Sequence, residues 1–224
     1  MTRISLPPFR AAILDMDGLA LDSESTYCQA WRRAAAELGF DLSEAFCHGL
    51  FGRHADDVEE ALLRELGGAF QRERFYRSAE RHWHDYLETH GMDRMPGLEA
   101  LLEVLRGRAI PYALATNSDA PYAWRCLRLA GLETEFGIVV TRDQVKYGKP
   151  APDVFFEAAR RLGVPPGCCL ALEDSATGLA AARSAGTITV LVQGREDARL
   201  KSRSRANFDF ASLGEVAETI AAMD

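Results

Sequence analysis

Short apolar runs that end at polar or acidic residues recur along the chain, and segments with the apolar spacing of amphipathic helices lie between several of them. Strands that alternate with helices of this length are typical of right-handed crossover connections. Such connections build a parallel sheet that is covered by helices on both faces. The pattern therefore predicts an α/β fold with a Rossmann-like core. The predicted strands lie within residues 11–15, 112–116, 137–140, 168–174 and 187–192.

One part of the chain breaks this alternation. Between residues 24 and 89 there is no convincing strand pattern, and helical patterns cover residues 27–38, 55–66 and 70–89 with glycine-containing breaks between them. This arrangement indicates a small all-helical domain that is inserted after the first strand. The predicted α/β core spans residues 1–23 and 93–224, and the predicted helical domain spans residues 24–92.

The composition is that of an ordinary globular protein, with 47% hydrophobic and 26% charged residues in a chain of 224. The net charge of −7 argues against nucleic acid as a partner, because a surface that binds its phosphates needs clustered Lys and Arg. We find no apolar run of the length of a membrane helix, about 18 residues, and no signal-peptide pattern. The five cysteines show no Cys-x-x-Cys spacing, which favours reduced thiols. We expect a cytoplasmic protein with no nucleic acid and no membrane partner, and a monomer by default.

Two aspartates, Asp15 and Asp17, follow the first apolar run directly. Their side chains start on the same face of an extended chain, and Gly18 lets the chain turn after them. Glu173 and Asp174 end another run, so the carboxylates converge if the two strands are neighbours. Two unit charges about 4 Å apart repel by roughly 4 kcal/mol at an effective dielectric constant of about 20, and a divalent cation would relieve this repulsion. Oxygen ligands without His or Cys suit Mg²⁺.

Candidate donors for a phosphate group follow two other runs. Thr116 and Ser118 place hydroxyls at a strand end, and free backbone N–H groups at the start of a helix from about Ala120 would form an anion site. Lys149 stands between a glycine and a proline. Its ammonium group would neutralise both a phosphate and the carboxylates.

These elements, in this order, resemble the haloacid dehalogenase-like superfamily, chiefly its aspartate-nucleophile phosphatases. Each motif alone is a weak signal, and Asp-x-Asp in particular is common by chance. Four motifs in the family's order, on the expected strand ends, make the resemblance specific, and it spans nearly the whole chain. The motifs match as Asp15-Met16-Asp17-Gly18, Thr116-Asn117-Ser118, Lys149-Pro150 and Glu173-Asp174-Ser175.

The resemblance implies a covalent mechanism. Asp15 would attack phosphorus as the nucleophile and form an aspartyl-phosphate. Asp17 would protonate the leaving oxygen and then activate a water molecule. The residues implied to hold the phosphoryl oxygens are Thr116, Asn117, Ser118 and Lys149.

The resemblance also implies Mg²⁺ as the cofactor. The Asp15 carboxylate, the Asp17 backbone carbonyl and Asp174 would hold the ion, and Glu173 would support these ligands. The implied activity is that of a phosphoric monoester hydrolase, with a small phosphorylated metabolite as substrate. A sugar phosphate or a nucleotide-like monoester is expected.

The predicted helical domain resembles the cap of this family, which closes over the site and excludes water. Arg53 stands on a cap loop where relatives place a substrate-contacting residue. Two other chemistries of the family are not expected. Its dehalogenases lack an acid at the position of Asp17, and its phosphonate-cleaving members use a cap lysine, whereas residues 24–89 contain no lysine.

Two other functions stay open. The segment DMDGLALDSE resembles the subgroup that contains pseudouridine-5′-phosphatase, the 2-deoxyglucose-6-phosphate phosphatases and β-phosphoglucomutase, so a phosphomutase is an alternative. β-Phosphoglucomutases usually carry a histidine where Tyr27 stands, which argues against that alternative. A binding module that kept the fold without turnover is an alternative of another class, and the intact Asp15, Asp17, Lys149 and Asp174 argue against it.

Structural interpretations compete with the functional ones at several of these positions. Glu173 would equally serve as a capping or supporting residue, Ser118 as a helix cap and Arg53 as a surface ion-pair residue. We do not expect His82 and His84 to form a metal pair, because positions i and i+2 of a helix point in different directions.

Overall fold

The computed structural model describes residues 5–50, 55–67, 70–192 and 206–223. The chain divides into two compact units. One consists of Met1–Leu21 and Arg94–Asp224, and the other consists of Asp22–Asp93. We refer to them as the sheet unit and the helical unit.

The sheet unit contains a six-stranded sheet with the strand order β3-β2-β1-β4-β5-β6, and every strand pairing in it is parallel. All five predicted strands are present, although β3 contains only two residues. The sequence pattern did not predict β6, because Asp209 interrupts it and leaves no continuous apolar run of the kind that predicted β3 at residues 137–140. The strands are β1 (Ala11–Leu14), β2 (Tyr112–Ala115), β3 (Val139–Val140), β4 (Cys169–Glu173), β5 (Ile188–Val192) and β6 (Phe208–Phe210).

The helical unit consists of four described helices, and three of them correspond to the predicted helical patterns. The short second helix was not predicted. Phe75 and Leu62 are fully buried in the core of this unit, and the indole N–H of Trp83 donates a hydrogen bond of 3.0 Å to the hydroxyl of Thr26. The helices are α1 (Ser23–Glu37), α2 (Glu44–His48), α3 (Ala55–Leu66) and α4 (Arg72–His90).

Five further helices belong to the sheet unit, and α7 and α8 pack on the strands. Alternate strand residues such as Ile13, Ala113 and Ala171 form one core cluster with α7 and α8. Ala12 and Leu14 point to the opposite face of the sheet and are also fully buried, so both faces are covered. The predicted α/β fold is confirmed. The helices are α5 (Leu98–Gly107), α6 (Ala120–Leu129), α7 (Asp153–Leu162), α8 (Ala176–Ser184) and α9 (Leu213–Ala221).

Three smaller expectations also have an outcome. All five cysteines lie in the described residues, and none of them is joined in a disulfide bond. His82 and His84, which are not expected to form a metal pair, contact different carboxylates. His82 lies 2.9 Å from Glu37, and His84 lies 3.8 Å from Glu80. Within the described parts of the chain, no helix combines the length and the apolar character that crossing a membrane requires.

Candidate active site

The candidate site lies where the three central strands end. Leu14 at the end of β1 pairs with both neighbouring strands, β2 and β4. Asp15 follows β1, Thr116 follows β2, and Glu173 is the last residue of β4. The chain passes from β1 to β2 and β3 on one side and then returns to β4 on the other, so these residues lie at the switch point where ligands bind in open α/β sheets.

A buried lysine connects two of these strand ends. The Lys149 ammonium group donates hydrogen bonds to Oδ1 of Asp15, to Oε1 of Glu173 at 2.6 Å and to the carbonyl oxygen of Ala115 at 2.9 Å. Only 4% of the Lys149 side chain is exposed. An ammonium group has three protons, so these three acceptors use its donor capacity completely.

The charges of this group are not balanced. Burial raises the pKa of Asp15 to about 7. Lys149 lowers this pKa, but the negative charges of the nearby Glu173 and Asp17 raise it again. Burial alone would lower the pKa of Lys149, but its contacts with Asp15 and Glu173 raise it above the ordinary value. One positive charge therefore faces several carboxylates, and the site favours a further cation.

The carboxylates form one compact group. Asp15, Glu173 and Asp174 each offer an oxygen atom, and these three atoms lie within 4.8 Å of one another. Ligands on opposite sides of one Mg²⁺ ion, at about 2.1 Å each, would lie about 4.2 Å apart. Oxygen is also the donor that Mg²⁺ prefers. The residues present therefore fit Mg²⁺ in donor chemistry, and their oxygens are close enough for small side-chain adjustments to bring them around one ion.

Glu173 lies against the first turn of α8. Its side chain is fully buried, and its Oε2 accepts a hydrogen bond of 3.2 Å from the hydroxyl of Ser175. The same hydroxyl caps α8, because it accepts from the N–H of Gly178 at 3.0 Å. A Cβ atom at Gly178 would lie 1.9 Å from Oε2 of Glu173, so only glycine leaves room for this carboxylate.

Asp17 is held by three hydroxyl groups. Its Oδ2 accepts from Ser118 at 2.8 Å and from Thr116 at 3.3 Å, and its Oδ1 accepts from the phenol of Tyr122 at 3.1 Å. Gly18, which follows it, has a φ of 79°, the left-handed conformation expected of the turn. The Asp17 carboxylate does not belong to the compact group, and the predicted ligand role of its backbone carbonyl stays a prediction.

Asn117 contacts the backbone of the lysine. Its Oδ1 accepts a hydrogen bond of 2.7 Å from the Lys149 N–H, and its Nδ2 donates one of 3.1 Å to the Lys149 carbonyl. This reciprocal pair holds the loop that presents the ammonium group. The predicted contact of Asn117 with phosphoryl oxygens stays a prediction.

A sequence model of the haloacid dehalogenase-like hydrolase family matches residues 9–186. This range includes every predicted catalytic and metal-binding residue. The chain belongs to the haloacid dehalogenase-like hydrolase family.

Relatives of this family with named activities are similar over most of the chain. Fructose-1-phosphate phosphatase YqaB of Escherichia coli strain K12 is 33% identical over 188 residues, which cover 83% of this chain and 97% of the relative. β-Phosphoglucomutase of Bacillus subtilis strain 168 is 31% identical over 192 residues, which cover 81% of this chain and 82% of the relative. The family and the class of phosphoric monoester hydrolase predicted from the sequence are confirmed.

A solved structure supports the same assignment. The crystal structure of a haloacid dehalogenase family hydrolase from Deinococcus radiodurans R1, with bound phosphate and sodium, matches with a TM-score of 0.81 and 28% identity. The match covers 95% of this chain and 96% of that chain.

One prediction about the phosphate site of the present chain is wrong. The backbone N–H groups at the start of α6 are not free, because Ala120 donates to Oδ1 of Asp143 and Tyr122 donates to Oδ1 of Asp119, both at 3.0 Å. Two carboxylates thus occupy donors that were expected to bind an anion. Pattern reasoning identified an exposed helix start but could not show that Asp143, from a short 3₁₀ helix 23 residues further along the chain, reaches it.

Two further positions complete the comparison with the sequence. Arg53, the predicted substrate-contacting residue, lies outside the described residues. Tyr122 was not singled out by the sequence analysis, although its hydroxyl reaches Asp17. Its place in the first turn of the helix after the second motif was the one available signal.

Proposed function

We propose that the chain is a Mg²⁺-dependent phosphatase that hydrolyses a small phosphorylated metabolite through an aspartyl-phosphate on Asp15. The observation that carries the proposal is the buried Lys149 ammonium group between Asp15 and Glu173 at the end of the central strands. Burying three charged groups is costly. A catalytic site is where such a cost is commonly retained.

In the first step, an oxygen of Asp15 attacks phosphorus and the bond from phosphorus to the leaving oxygen breaks. Asp17 gives its proton to that oxygen, so the product leaves as a neutral alcohol. Thr116 and Ser118 supply donors for the phosphoryl oxygens, and the Lys149 ammonium group offsets their charge and donates to one of them when it replaces one of the three present acceptors. Asn117 holds the backbone of Lys149 in place.

In the second step, Asp17 takes a proton from a water molecule, whose oxygen attacks the same phosphorus. The bond between phosphorus and the Asp15 oxygen breaks, which releases inorganic phosphate and regenerates the Asp15 carboxylate.

Asp15 and Asp174, with the backbone carbonyl of Asp17 and support from Glu173, would hold Mg²⁺. When bound, the ion offsets negative charge on the transferring group. The compact group of carboxylate oxygens supports this assignment.

A sugar phosphate is the substrate class that we favour over a nucleotide-like monoester. The names of both relatives, fructose-1-phosphate phosphatase and β-phosphoglucomutase, refer to a phosphorylated sugar. We further propose that the domains are residues 1–23 with 93–224 as the catalytic core and residues 24–92 as a cap, in which Arg53 contacts the substrate. A cytoplasmic location and a monomeric state stay predictions, and the net charge of −7 supports a function without nucleic acid.

An intramolecular phosphomutase is the second candidate, and the similarity to β-phosphoglucomutase favours it. Tyr27 stands where those mutases usually carry a histidine. Its ring stacks on Trp83 within the helical unit, with centroids 5.4 Å apart. A phenol in this stack offers no imidazole nitrogen, which supports the phosphatase.

The test is a measurement of phosphate release by the purified protein with MgCl₂ on fructose 1-phosphate, glucose 6-phosphate, β-glucose 1-phosphate, AMP and p-nitrophenyl phosphate. We expect turnover of at least one sugar phosphate, and we expect Asp15→Asn to lose activity by about 10³-fold or more. The exposed Asp41 provides a matched control, and Asp41→Asn should retain full activity.

The other outcomes separate the alternatives. An isomerised sugar phosphate without phosphate release would favour the mutase. Absence of turnover on every compound would favour a binding module and would overturn the proposal.

A further inference from the structure

We propose that Tyr122 is a positioning residue for Asp17. The inference rests on the proposed function, which makes Asp17 the group that protonates the leaving oxygen. Neither the family's motifs nor the sequence analysis assigns a role to Tyr122.

The two oxygen atoms of the Asp17 carboxylate accept hydrogen bonds from different donors. Oδ2 accepts from Thr116 and Ser118, whereas Oδ1 accepts from the Tyr122 hydroxyl at 3.1 Å. Hydrogen bonds at both oxygens restrict rotation of the carboxylate about its terminal torsion. Tyr122 therefore fixes the position of Oδ1, while Thr116 and Ser118 fix the position of Oδ2.

A bound substrate would affect the hydrogen bonds to Oδ2 and the hydrogen bond to Oδ1 differently. Thr116 and Ser118 belong to the proposed phosphate-binding set, so the phosphoryl oxygens of a substrate compete with Asp17 for their hydroxyls. The Tyr122 hydroxyl lies outside that set. Its hydrogen bond is the contact that continues to orient Asp17 once the phosphate has taken the other donors.

Tyr122 is itself held firmly. It lies in the first turn of α6, and its backbone N–H donates to Asp119, which caps that helix. One helical turn later, the thiol of Cys126 forms a hydrogen bond with Tyr122. The phenol O–H of Tyr122 donates directly to Oδ1 of Asp17.

The consequence depends on the leaving group. A sugar alkoxide is a poor leaving group and requires a proton as the bond to phosphorus breaks, whereas p-nitrophenolate leaves without one. Loss of the Tyr122 hydroxyl should therefore slow the transfer from a sugar phosphate and leave the transfer from p-nitrophenyl phosphate nearly unchanged.

The experiment compares Tyr122→Phe with the wild type on two substrates in MgCl₂. One is p-nitrophenyl phosphate, and the other is the sugar phosphate of highest wild-type turnover among fructose 1-phosphate, glucose 6-phosphate and β-glucose 1-phosphate. We expect kcat/KM, which reports the first transfer and not the hydrolysis of the aspartyl-phosphate, to fall by about tenfold on the sugar phosphate and to change by less than about twofold on p-nitrophenyl phosphate.

Tyr112→Phe is the matched control. The Tyr112 hydroxyl also donates to a carboxylate of the sheet unit, that of Glu135, but Tyr112 begins β2 and the site lies where β2 ends. This variant should leave both substrates unaffected. Circular dichroism of both variants checks that the fold is kept.

Two results would overturn the inference. An equal loss of kcat/KM on both substrates would show a merely structural role for Tyr122, and no loss of kcat/KM on either would show no role. Absence of wild-type turnover on all compounds would instead refute the proposed function, on which the inference rests, so the two failures are distinguishable.

Discussion

Two carboxylates, one in each unit of the molecule, face positive side chains and respond in opposite ways. In the sheet unit, burial raises the pKa of Asp15 to about 7 although Lys149 donates to it. In the helical unit, hydrogen bonds from Ser78 and then from Arg81 lower the pKa of Glu37 to about 2. The Glu37 side chain is 44% exposed, whereas that of Asp15 is 10% exposed.

The difference teaches what a salt bridge indicates in each environment. Water solvates Glu37 in both the folded and the unfolded state, so its contacts contribute little to stability and require no functional explanation. Asp15 and Lys149 lose their water on folding, and the attraction between them does not fully offset that cost. A retained buried cluster of this kind is a candidate for chemistry.

The largest expected effect comes from removing the shared cation. In metal-free buffer, Lys149→Met should lower the free energy of unfolding by about 3–5 kcal/mol, because it leaves the buried Asp15 and Glu173 without their partner. Urea unfolding followed by circular dichroism measures this. The variant should also lack phosphatase activity.

Arg81→Met removes a cation from the exposed carboxylate and is the matched control. Its unfolding free energy should stay within the error of the same measurement. If both substitutions destabilised the protein equally, burial would not distinguish the two clusters and the comparison would fail.

A smaller effect is expected from a single methyl group beside Glu173. Gly178→Ala places a Cβ atom against this carboxylate and should destabilise the protein by about 1–3 kcal/mol. Because the carboxylate must move away from Lys149, kcat should fall as well. Thermal unfolding and phosphate release measure the two effects.

Gly107 offers the contrasting site. It is also a helical glycine, but no atom lies within 4 Å of a Cβ placed there. Gly107→Ala should therefore be neutral or stabilise the protein by up to about 1 kcal/mol. A Gly178→Ala variant as stable and active as Gly107→Ala would contradict the packing described for Glu173.

The smallest effect is a dependence on pH, and its sign differs between the two carboxylates. The pKa of Asp15 is higher in the folded protein than its ordinary value of 3.8, so its contribution to stability is fully present below that value and is lost as the pH rises through about 7. From about pH 5.5 to about pH 6.5, the metal-free wild type should lose about 1 kcal/mol relative to Asp15→Asn. Saturating MgCl₂ should reduce this loss, because the cation favours the ionised form.

Glu37 should behave in the opposite way. Its pKa is lowered from 4.5 to about 2, so its contribution is present above pH 4.5 and is lost as the pH falls through about 2. The stability difference between the wild type and Glu37→Gln, which is small even at neutral pH because the carboxylate is solvated, should therefore disappear on acidification. A wild-type stability that rose from about pH 5.5 to about pH 6.5 relative to Asp15→Asn would refute the raised pKa of Asp15.

The sequence alone was sufficient to predict the α/β fold, the helical segment after the first strand and the order of the four motifs. These predictions succeeded because strand and helix periodicity is local, and because the carboxyl ends of neighbouring parallel strands meet at one edge of a sheet. Asp15, Thr116 and Glu173 could thus be assigned to one edge without any knowledge of side-chain contacts. The strand β6 escaped prediction because Asp209 leaves it without a continuous apolar run.

Only the tertiary structure decided which groups those residues contact. It paired the side chain of Asn117 with the backbone of Lys149, brought Asp143 to the start of α6 and placed the phenol of Tyr122 on Asp17. Each of these contacts joins positions between 23 and 105 residues apart. Spacing along the chain specifies the element on which a residue lies, whereas hydrogen-bond partners depend on how the elements pack and on which way each side chain then points.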